Sequence, residues 1–412
     1  MYFFYKFLTS LYFLAVNIAS PFNKKAKLMI AGRKNWRDNL KKTIEKNKNY
    51  IWIHCASLGE FEQGRPIIEK YKKEKPEYKI ILTFFSPSGY EIRKNYENAD
   101  IICYLPFDTK KNAKDFINII KPKIAIFVKY EFWYYMLEEL YRTNIPFFLV
   151  SGIFRTNQIF FKPYGKFYLQ ALKHFSFLFL QDPTSEQILK KFDIHNTFVC
   201  GDTRIDRVIQ IANEKYDNSF FENFSKNENI IVCGSTWNED EKIICELINK
   251  ANNSYKFIIA PHEISDTNIK NLENKINKKT VKYSSITEES VAADVVIIDS
   301  IGLLSKLYRY GKIAYIGGGF GKGIHNTLEA AVYNIPVVFA HNYKKFKEAT
   351  DLVELETAFT ISSADELQVV VDKLINDKIL YQKIQSTIKT YIANSTGATN
   401  EIFEKITLKY LS

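Results

Sequence analysis

The chain has 412 residues, 46% of them hydrophobic and 25% charged, which is too long for one ordinary core and suits two domains of about 150–200 residues each. With 57 Lys and Arg against 46 Asp and Glu, the formal charge of +11 favours anionic partners such as phosphorylated substrates or an acidic membrane face. No long Lys/Arg run and no zinc-finger or RNA-binding signature goes with that charge, so nucleic acid is set aside as a partner.

Residues 2–19, YFFYKFLTSLYFLAVNIA, are apolar and aromatic, interrupted only by Lys6, Thr9, Ser10 and Asn17. That length is the lower edge of a membrane span. Lys24, Lys25, Lys27, Arg33, Lys34 and Arg37 follow, and the positive-inside rule keeps what comes next cytoplasmic. No basic start precedes the run and no small-x-small cleavage site follows it, so a removed signal peptide is not expected. A membrane anchor, a helix lying in the interface with its basic residues on anionic headgroups, and an ordinary buried helix all fit. The first two place the globular part at the inner face of a membrane.

After residue 48 short apolar runs alternate with longer amphipathic ones. Strands are expected at Tyr50–Cys55, Lys79–Thr83, Ile101–Tyr104, Ile124–Val128, Pro146–Val150, Phe177–Leu180 and Thr197–Cys200. A second series follows at Ile230–Cys233, Lys256–Ala260, Thr280–Tyr283, Val295–Ile298, Ile313–Ile316, Pro336–Phe339 and Ala358–Ile361. Continuous apolar strands separated by helix-length stretches, such as Asp108–Ile120 and Glu239–Ala251, predict parallel sheets covered on both faces. The fold class is therefore α/β, with two doubly wound units and a boundary within the polar stretch Asp206–Asn229. The expected domains are an N-terminal membrane segment 1–40, a first unit 41–210, and a second unit 211–412 that includes the terminal helices. Such units bind ligands at the carboxyl ends of their strands, which points to a cleft between the domains. The cysteines (Cys55, Cys103, Cys200, Cys233, Cys245) are odd in number and widely spaced, and read as reduced and buried.

The most informative stretch is AYIGGGFGKGIHNTLEAA, 314–331. A strand ends in three glycines and a Gly-rich loop, then a helix is expected from near Asn326, with Glu329 three residues on as in a capping box. Glycines let backbone amides approach an anion and a helix start adds its dipole, while a tight, well-capped turn is the plainer reading. Two nucleotide motifs fail here. Gly323 stands where a Walker loop needs Ser or Thr, and Lys322 occupies the last glycine place of G-x-G-x-x-G.

In WIHCASLGEFEQG, 52–64, Glu60 opens a helix after a small-residue turn and suits a general base, with Glu62 its neighbouring competitor. In FVKYEFW, Glu131 stands past a strand end and needs a partner such as Lys129 or Arg155 if buried. Arg155, Arg204 and His262 at strand ends suit a phosphate or carboxylate, although singly each reads as surface charge. His54 and His174 read as core. No spacing resembles a metal site, and no G-x-S-x-G marks a hydrolase.

Taken in order, these segments resemble the Kdo (3-deoxy-octulosonic acid) transferases of lipopolysaccharide synthesis, glycosyltransferase family 30. WIHCASLGE is similar to that family's Ser-x-Gly-Glu segment, YEFW to its Glu-Leu-Trp, SGIFR to a short basic segment, and GDTRID to its Gly-Asn-x-Lys-x-Asp. GSTW, APHE, DSIGLL and GGGFGKGIHNTLEAA follow in the family order. The resemblance implies the two-domain GT-B fold and an inverting, metal-independent transfer that needs no cofactor beyond the donor. It places the base on Glu60, a second acidic residue on Glu131 and a basic one on Arg204. It places donor contacts on Pro261 and His262, on Gly302, Leu303 and Leu304, and on Asn326, Thr327, Leu328 and Glu329. The implied donor is CMP-Kdo and the implied acceptor a lipid A precursor, met at the cytoplasmic face of the inner membrane on an anionic surface. Lys129 stands where the family has a Glu, Arg204 where Lys is usual, His262 where Arg is usual, and Leu303 where Glu is usual. Another GT-B enzyme of UDP-N-acetylglucosamine, transferase or epimerase, and a membrane-anchored polyanion-binding protein are the alternatives.

Overall fold

The fourteen apolar runs become strands, and each pairs parallel to its neighbours. The computed structural model describes residues 2–226, 228–251 and 255–411. The first sheet contains β1 (Asn49–Cys55), β2 (Tyr78–Phe84), β3 (Ile101–Tyr104), β4 (Ile124–Val128), β5 (Phe147–Gly152), β6 (Phe177–Leu180) and β7 (Thr197–Val199). Their spatial order is β3-β2-β1-β4-β5-β6-β7. The second contains β8 (Ile230–Thr236), β9 (Lys256–Pro261), β10 (Thr280–Lys282), β11 (Val295–Ile297), β12 (Ile313–Ile316), β13 (Val337–Ala340) and β14 (Ala358–Ile361). Its order is β10-β11-β9-β8-β12-β13-β14. In β1, Tyr50 and Trp52 join one apolar cluster while Ile51, Ile53 and Cys55 join another. Successive side chains point to opposite faces and both faces are buried, so the strand reads as an unbroken apolar run.

Two compact units result, one of 1–207 with 396–412 and the other of 208–395. The boundary lies close to the expected one, but two expected assignments change. The C-terminal stretch divides: the helix Lys378–Ser395 stays in the second unit, whereas Ala398–Tyr410 belongs to the first. Ile402, Phe403 and Ile406 are buried in the same cluster as Ile51 and Ile67, and Phe403 packs on Tyr71 with ring centroids 4.9 Å apart. Asp206 fixes the start of this helix by accepting hydrogen bonds from the amides of Gly397 and Thr399, each at 2.7 Å. Gly397 takes φ 105°, a conformation that other residues rarely adopt.

The N-terminal segment, expected as a separate piece 1–40, is also part of the first unit. It forms α1 (Tyr2–Ala19), α2 (Lys24–Ala31) and α3 (Trp36–Thr43). Tyr5, Val16, Met29 and Leu40 are buried, while Phe7, Leu8, Leu11, Leu14 and Ile18 along α1 stay exposed. Among the described residues no helix is long and apolar enough to cross a membrane. The basic cluster that follows is not uniformly a headgroup surface. Arg33 is buried, donating to the carbonyls of Leu105 (2.7 Å), Met29 (3.0 Å) and Phe85 (2.7 Å). Lys24, Lys25, Lys27 and Lys34 are exposed.

Candidate functional site

In an open parallel sheet, neighbouring strands whose connections leave in opposite directions open a crevice at their carboxyl ends. In the first sheet that place lies between β1 and β4, which pair directly, and in the second between β8 and β12. WIHCASLGE, YEFW, GSTW and the Gly-rich stretch stand at the ends of these four strands, whereas SGIFR, GDTRID, APHE and DSIGLL stand at the ends of β5, β7, β9 and β11.

After β1, Ser57 caps α4 (Leu58–Glu74), accepting from the amide of Gly59 at 3.2 Å. Glu60, in the first turn of α4, accepts a hydrogen bond from the Ser57 hydroxyl. The Ser-x-x-Glu spacing thus fixes the carboxylate at the end of β1. The competitor Glu62 is engaged elsewhere, paired with Arg93 at 2.9 Å.

After β4, Glu131 is held by partners other than those expected. Burial was to be compensated by Lys129 or Arg155; instead the Trp133 indole donates to Glu131 Oε2 at 2.6 Å, and His54 Nε2 lies 3.2 Å from the same oxygen. Trp133 Nε1 is also 3.0 Å from His54 Nε2. His54 is fully buried at the end of β1, and its Nδ1 lies 2.8 Å from Thr83 Oγ1, which accepts from Trp52 Nε1 at 2.8 Å. One assignment uses every proton: Trp52 donates to Thr83, Thr83 to His54 Nδ1, and His54 Nε2 and Trp133 both to Glu131. His54, which reads as core from the sequence, is thus the residue that carries this chain of bonds to the carboxylate.

Arg204 follows β7 in the helix Thr203–Asn213. Its Nε and Nη2 donate to Asp202 Oδ2 at 2.8 and 2.6 Å. The guanidinium is pre-oriented by a residue of its own motif. Thr203 ties this segment to α4 through a 2.7 Å hydrogen bond to the carbonyl of Gln63.

In the second unit, Trp237 follows β8, His262 follows β9 and His325 lies in the loop after β12. The three rings stack, with centroids 4.3 Å apart for Trp237 and His262 and 4.7 Å for the two histidines. Trp237 Nε1 donates to His325 Nε2 at 3.1 Å. Burial, and then the neighbouring His262, push the His325 imidazolium down to about 4, so the ring is neutral near pH 7. Asp240, fully buried, accepts from the amides of Gly318 (2.8 Å) and Trp237 (2.9 Å) and from the Tyr315 hydroxyl (2.8 Å). It joins the GSTW turn to the Gly-rich loop.

That loop is built differently from the expectation. The amides of Gly317, Gly318, Gly321 and Gly323 bond within the chain. Gly317 is required by packing, because a Cβ there would stand 2.4 Å from the Ser235 carbonyl oxygen. The helix expected from Asn326 is a single turn, Leu328–Ala331, whose N-cap is Thr327, and Asn326 just before it accepts from the Leu328 amide at 3.2 Å. One turn sums few peptide dipoles, so the dipole contribution to an anion here is small. Asn326 also donates to Glu329 at 3.2 Å. Of the expected donor contacts, Thr327 and Leu328 have no exposed side-chain surface and Pro261 is buried, whereas His262, Gly302, Leu303, Leu304, Asn326 and Glu329 reach the surface. Trp237, Asp240 and His325 received no role from the sequence. Trp237 and His325 lie within GSTW and IHNTLE and Asp240 three residues past the first, but their meeting requires the fold. Among the described residues no three His, Cys, Asp or Glu side chains converge as a metal site would require.

Residues 34–207 match the family model described as 3-deoxy-D-manno-octulosonic-acid transferase (Kdo transferase). The chain is 29% identical to a 3-deoxy-D-manno-octulosonic acid transferase of Aquifex aeolicus over 82% of this chain and 89% of that one. It is 25% identical to the Haemophilus influenzae transferase of the same name, over 86% of each. Among solved structures, a putative UDP-N-acetylglucosamine 2-epimerase from Listeria monocytogenes superposes with a TM-score of 0.61, covering 87% of this chain and 96% of that one at 14% identity. That last likeness establishes the two-unit parallel-sheet fold and nothing further.

Proposed function

We propose that the chain, whose residues 34–207 match the Kdo-transferase family model, is a glycosyltransferase that transfers Kdo from CMP-Kdo to a lipid A precursor. The transfer inverts the anomeric centre, uses no metal, and takes place at the cytoplasmic face of the inner membrane. The observation that carries the reading is the pair of carboxylates after β1 and β4: Glu60 held by Ser57, and Glu131 held by His54 and Trp133.

Glu60 removes the proton from a glucosamine hydroxyl of the acceptor. The oxygen attacks the anomeric carbon of Kdo while the bond from that carbon to the CMP oxygen breaks, the electron pair leaving with the phosphate. Attack opposite the leaving group inverts the centre. Glu131 faces the positive charge that grows on the sugar, and its two N–H donors keep it oriented. Arg204 offers a guanidinium already aligned by Asp202 for an anionic group, the Kdo carboxylate or the leaving phosphate. The second unit binds the cytidine nucleotide with the Trp237–His262–His325 stack and the segments Gly302–Leu304 and Asn326–Glu329. The exposed apolar face of α1, with Lys24, Lys25, Lys27 and Lys34, brings the enzyme to a substrate that stays in the bilayer.

The test is incubation of the protein with CMP-Kdo and lipid A precursor in EDTA, reading product mass. Addition of one or more Kdo units is expected. No product from CMP-Kdo, with turnover of UDP-N-acetylglucosamine instead, would assign the chain to the other nucleotide-sugar class.

A further inference from the structure

The chemistry at Glu60 and Glu131 does not use a groove of about 510 Å³ that lies on the same unit, between α1 and the α2–α3 segment. Phe13, Ile30, Trp36 and Phe107 supply its apolar lining, and Lys34 and Arg37 supply positive charge. Lys34 is exposed. Arg37 is fixed in place, donating to Asp115 at 2.7 Å and to Asn112 at 2.6 Å, with its guanidinium 4.4 Å from the Trp36 ring centre. The cation is therefore pre-oriented and loses little rotamer freedom when an anion arrives.

A row of rings runs from this groove to the Glu131 cluster. Phe13 meets Phe107 at 4.6 Å between centroids, Phe107 meets Phe85 at 6.3 Å, and Phe85 meets Trp133 at 4.3 Å. Trp133 then donates to Glu131. A ligand bound in the groove is one short aromatic surface away from the proposed reaction centre. An apolar wall, one fixed cation and one exposed cation together suit one ligand chemistry, an acyl chain joined to a phosphate. Free phosphate has no use for the rings, and a neutral lipid has no use for Lys34 and Arg37.

We propose that this groove seats the phosphate-bearing, acylated end of the acceptor lipid and so sets which sugar hydroxyl reaches Glu60. This rests on the reading that the acceptor is a lipid A precursor. Methylenes lie against Phe13 and Phe107, and the phosphate meets Lys34 and Arg37.

Two variants test it. Ala31, exposed on the groove wall, is replaced by Phe to fill the groove, and Lys34 by Glu to reverse its charge. With vesicle-embedded acceptor, both raise the acceptor KM about tenfold or more, the scale of one charge-assisted contact, with donor KM unchanged. With a deacylated, water-soluble bisphosphorylated disaccharide, Lys34→Glu still raises KM and Ala31→Phe does not. A lipid KM within twofold of wild type in both variants overturns the proposal. A second measurement does not depend on turnover: quenching of Trp36 by anionic phospholipid with brominated acyl chains, taken as wild type minus Trp36→Phe. Quenching falls in Ala31→Phe at equal vesicle sedimentation if the chain enters the groove, and unchanged quenching counts against entry. A wild-type protein that is quenched but makes no Kdo product keeps the groove and loses the transferase reading. Product formation without quenching and without a KM change does the reverse.

Discussion

Tyr5 donates its phenol proton to Asp108 at 2.5 Å, joining α1 to the carboxylate that caps the helix after Trp133. Asp108 also accepts from the amides of Tyr135 and Met136 at 3.0 and 3.1 Å. Burial pushes the Asp108 carboxyl up from 3.8 to about 6, against the lowering effect of these three donors. A carboxyl whose folded value is raised binds its proton more tightly in the native state. Its stabilising effect is therefore fully present below about 3.8 and is lost as pH rises through about 6. The unfolding free energy of wild type relative to Asp108→Asn should shrink as pH is raised across that window, the reverse of an ion-paired carboxylate. Denaturant titrations of both proteins at several pH values check this.

Glu60→Gln keeps the shape of the first turn of α4 but removes the base. Turnover should fall by roughly 10²–10⁴, with CMP-Kdo binding measured by calorimetry retained. Turnover within threefold of wild type would remove Glu60 from the mechanism.

Trp133→Phe takes away one of the two N–H donors to Glu131 while keeping an aromatic ring against Phe85. A hydrogen bond to a charged group contributes about 1.5–3 kcal/mol, so kcat should fall about tenfold to a hundredfold. Donor KM should hold. Equal losses in both parameters, together with a lower unfolding midpoint, would indicate a structural role alone.

Neutral His325 accepts from Trp237 and charges only as pH falls through about 4. Donor KM should therefore show no His325 step between about pH 5 and 8. Trp237→Ala opens the stack, so the imidazole should return toward its ordinary 6.5 and bring a step into that range. It should also raise donor KM. NMR titration of the His325 ring protons in both proteins decides this.

Leu11 is exposed on α1, away from the buried Tyr5. Leu11→Asp should weaken sedimentation with anionic vesicles and leave the remaining binding salt-sensitive, because burial of each methylene contributes about 0.8 kcal/mol whereas the lysines act through a screened potential. Unchanged binding at high salt would assign docking to another surface.

The strands were legible because parallel strands buried on both faces read as continuous apolar runs, and each expected run overlaps an observed strand. The place of Glu60 in the first turn of a helix was legible because a Ser-x-x-Glu cap is a local pattern. The partners of Glu131 were not, since His54 lies 77 positions away inside an apolar strand and carries no mark that separates it from core. Arg33 misled for the same reason: two of its acceptors, Phe85 and Leu105, lie 52 and 72 positions further on, so its burial is a tertiary fact. The helix after His325 starts at Leu328 and ends after one turn, because the chain turns at Asn334, with φ 59°, immediately before Ile335 and Pro336. The last helix went to the wrong unit because amphipathic periodicity shows that a face is buried without showing against what.

That last helix has a consequence for biosynthesis. Residues 208–395 are contiguous, whereas the first unit needs Ile402, Phe403 and Ile406 from the end of the chain to close its core. On the ribosome, residues 208–395 emerge before residues 396–412, so the second unit has its full chain while the first sheet still lacks the cover of Ile402, Phe403 and Ile406. A chain that stops near residue 395 would leave that apolar face exposed to solvent and to chaperones.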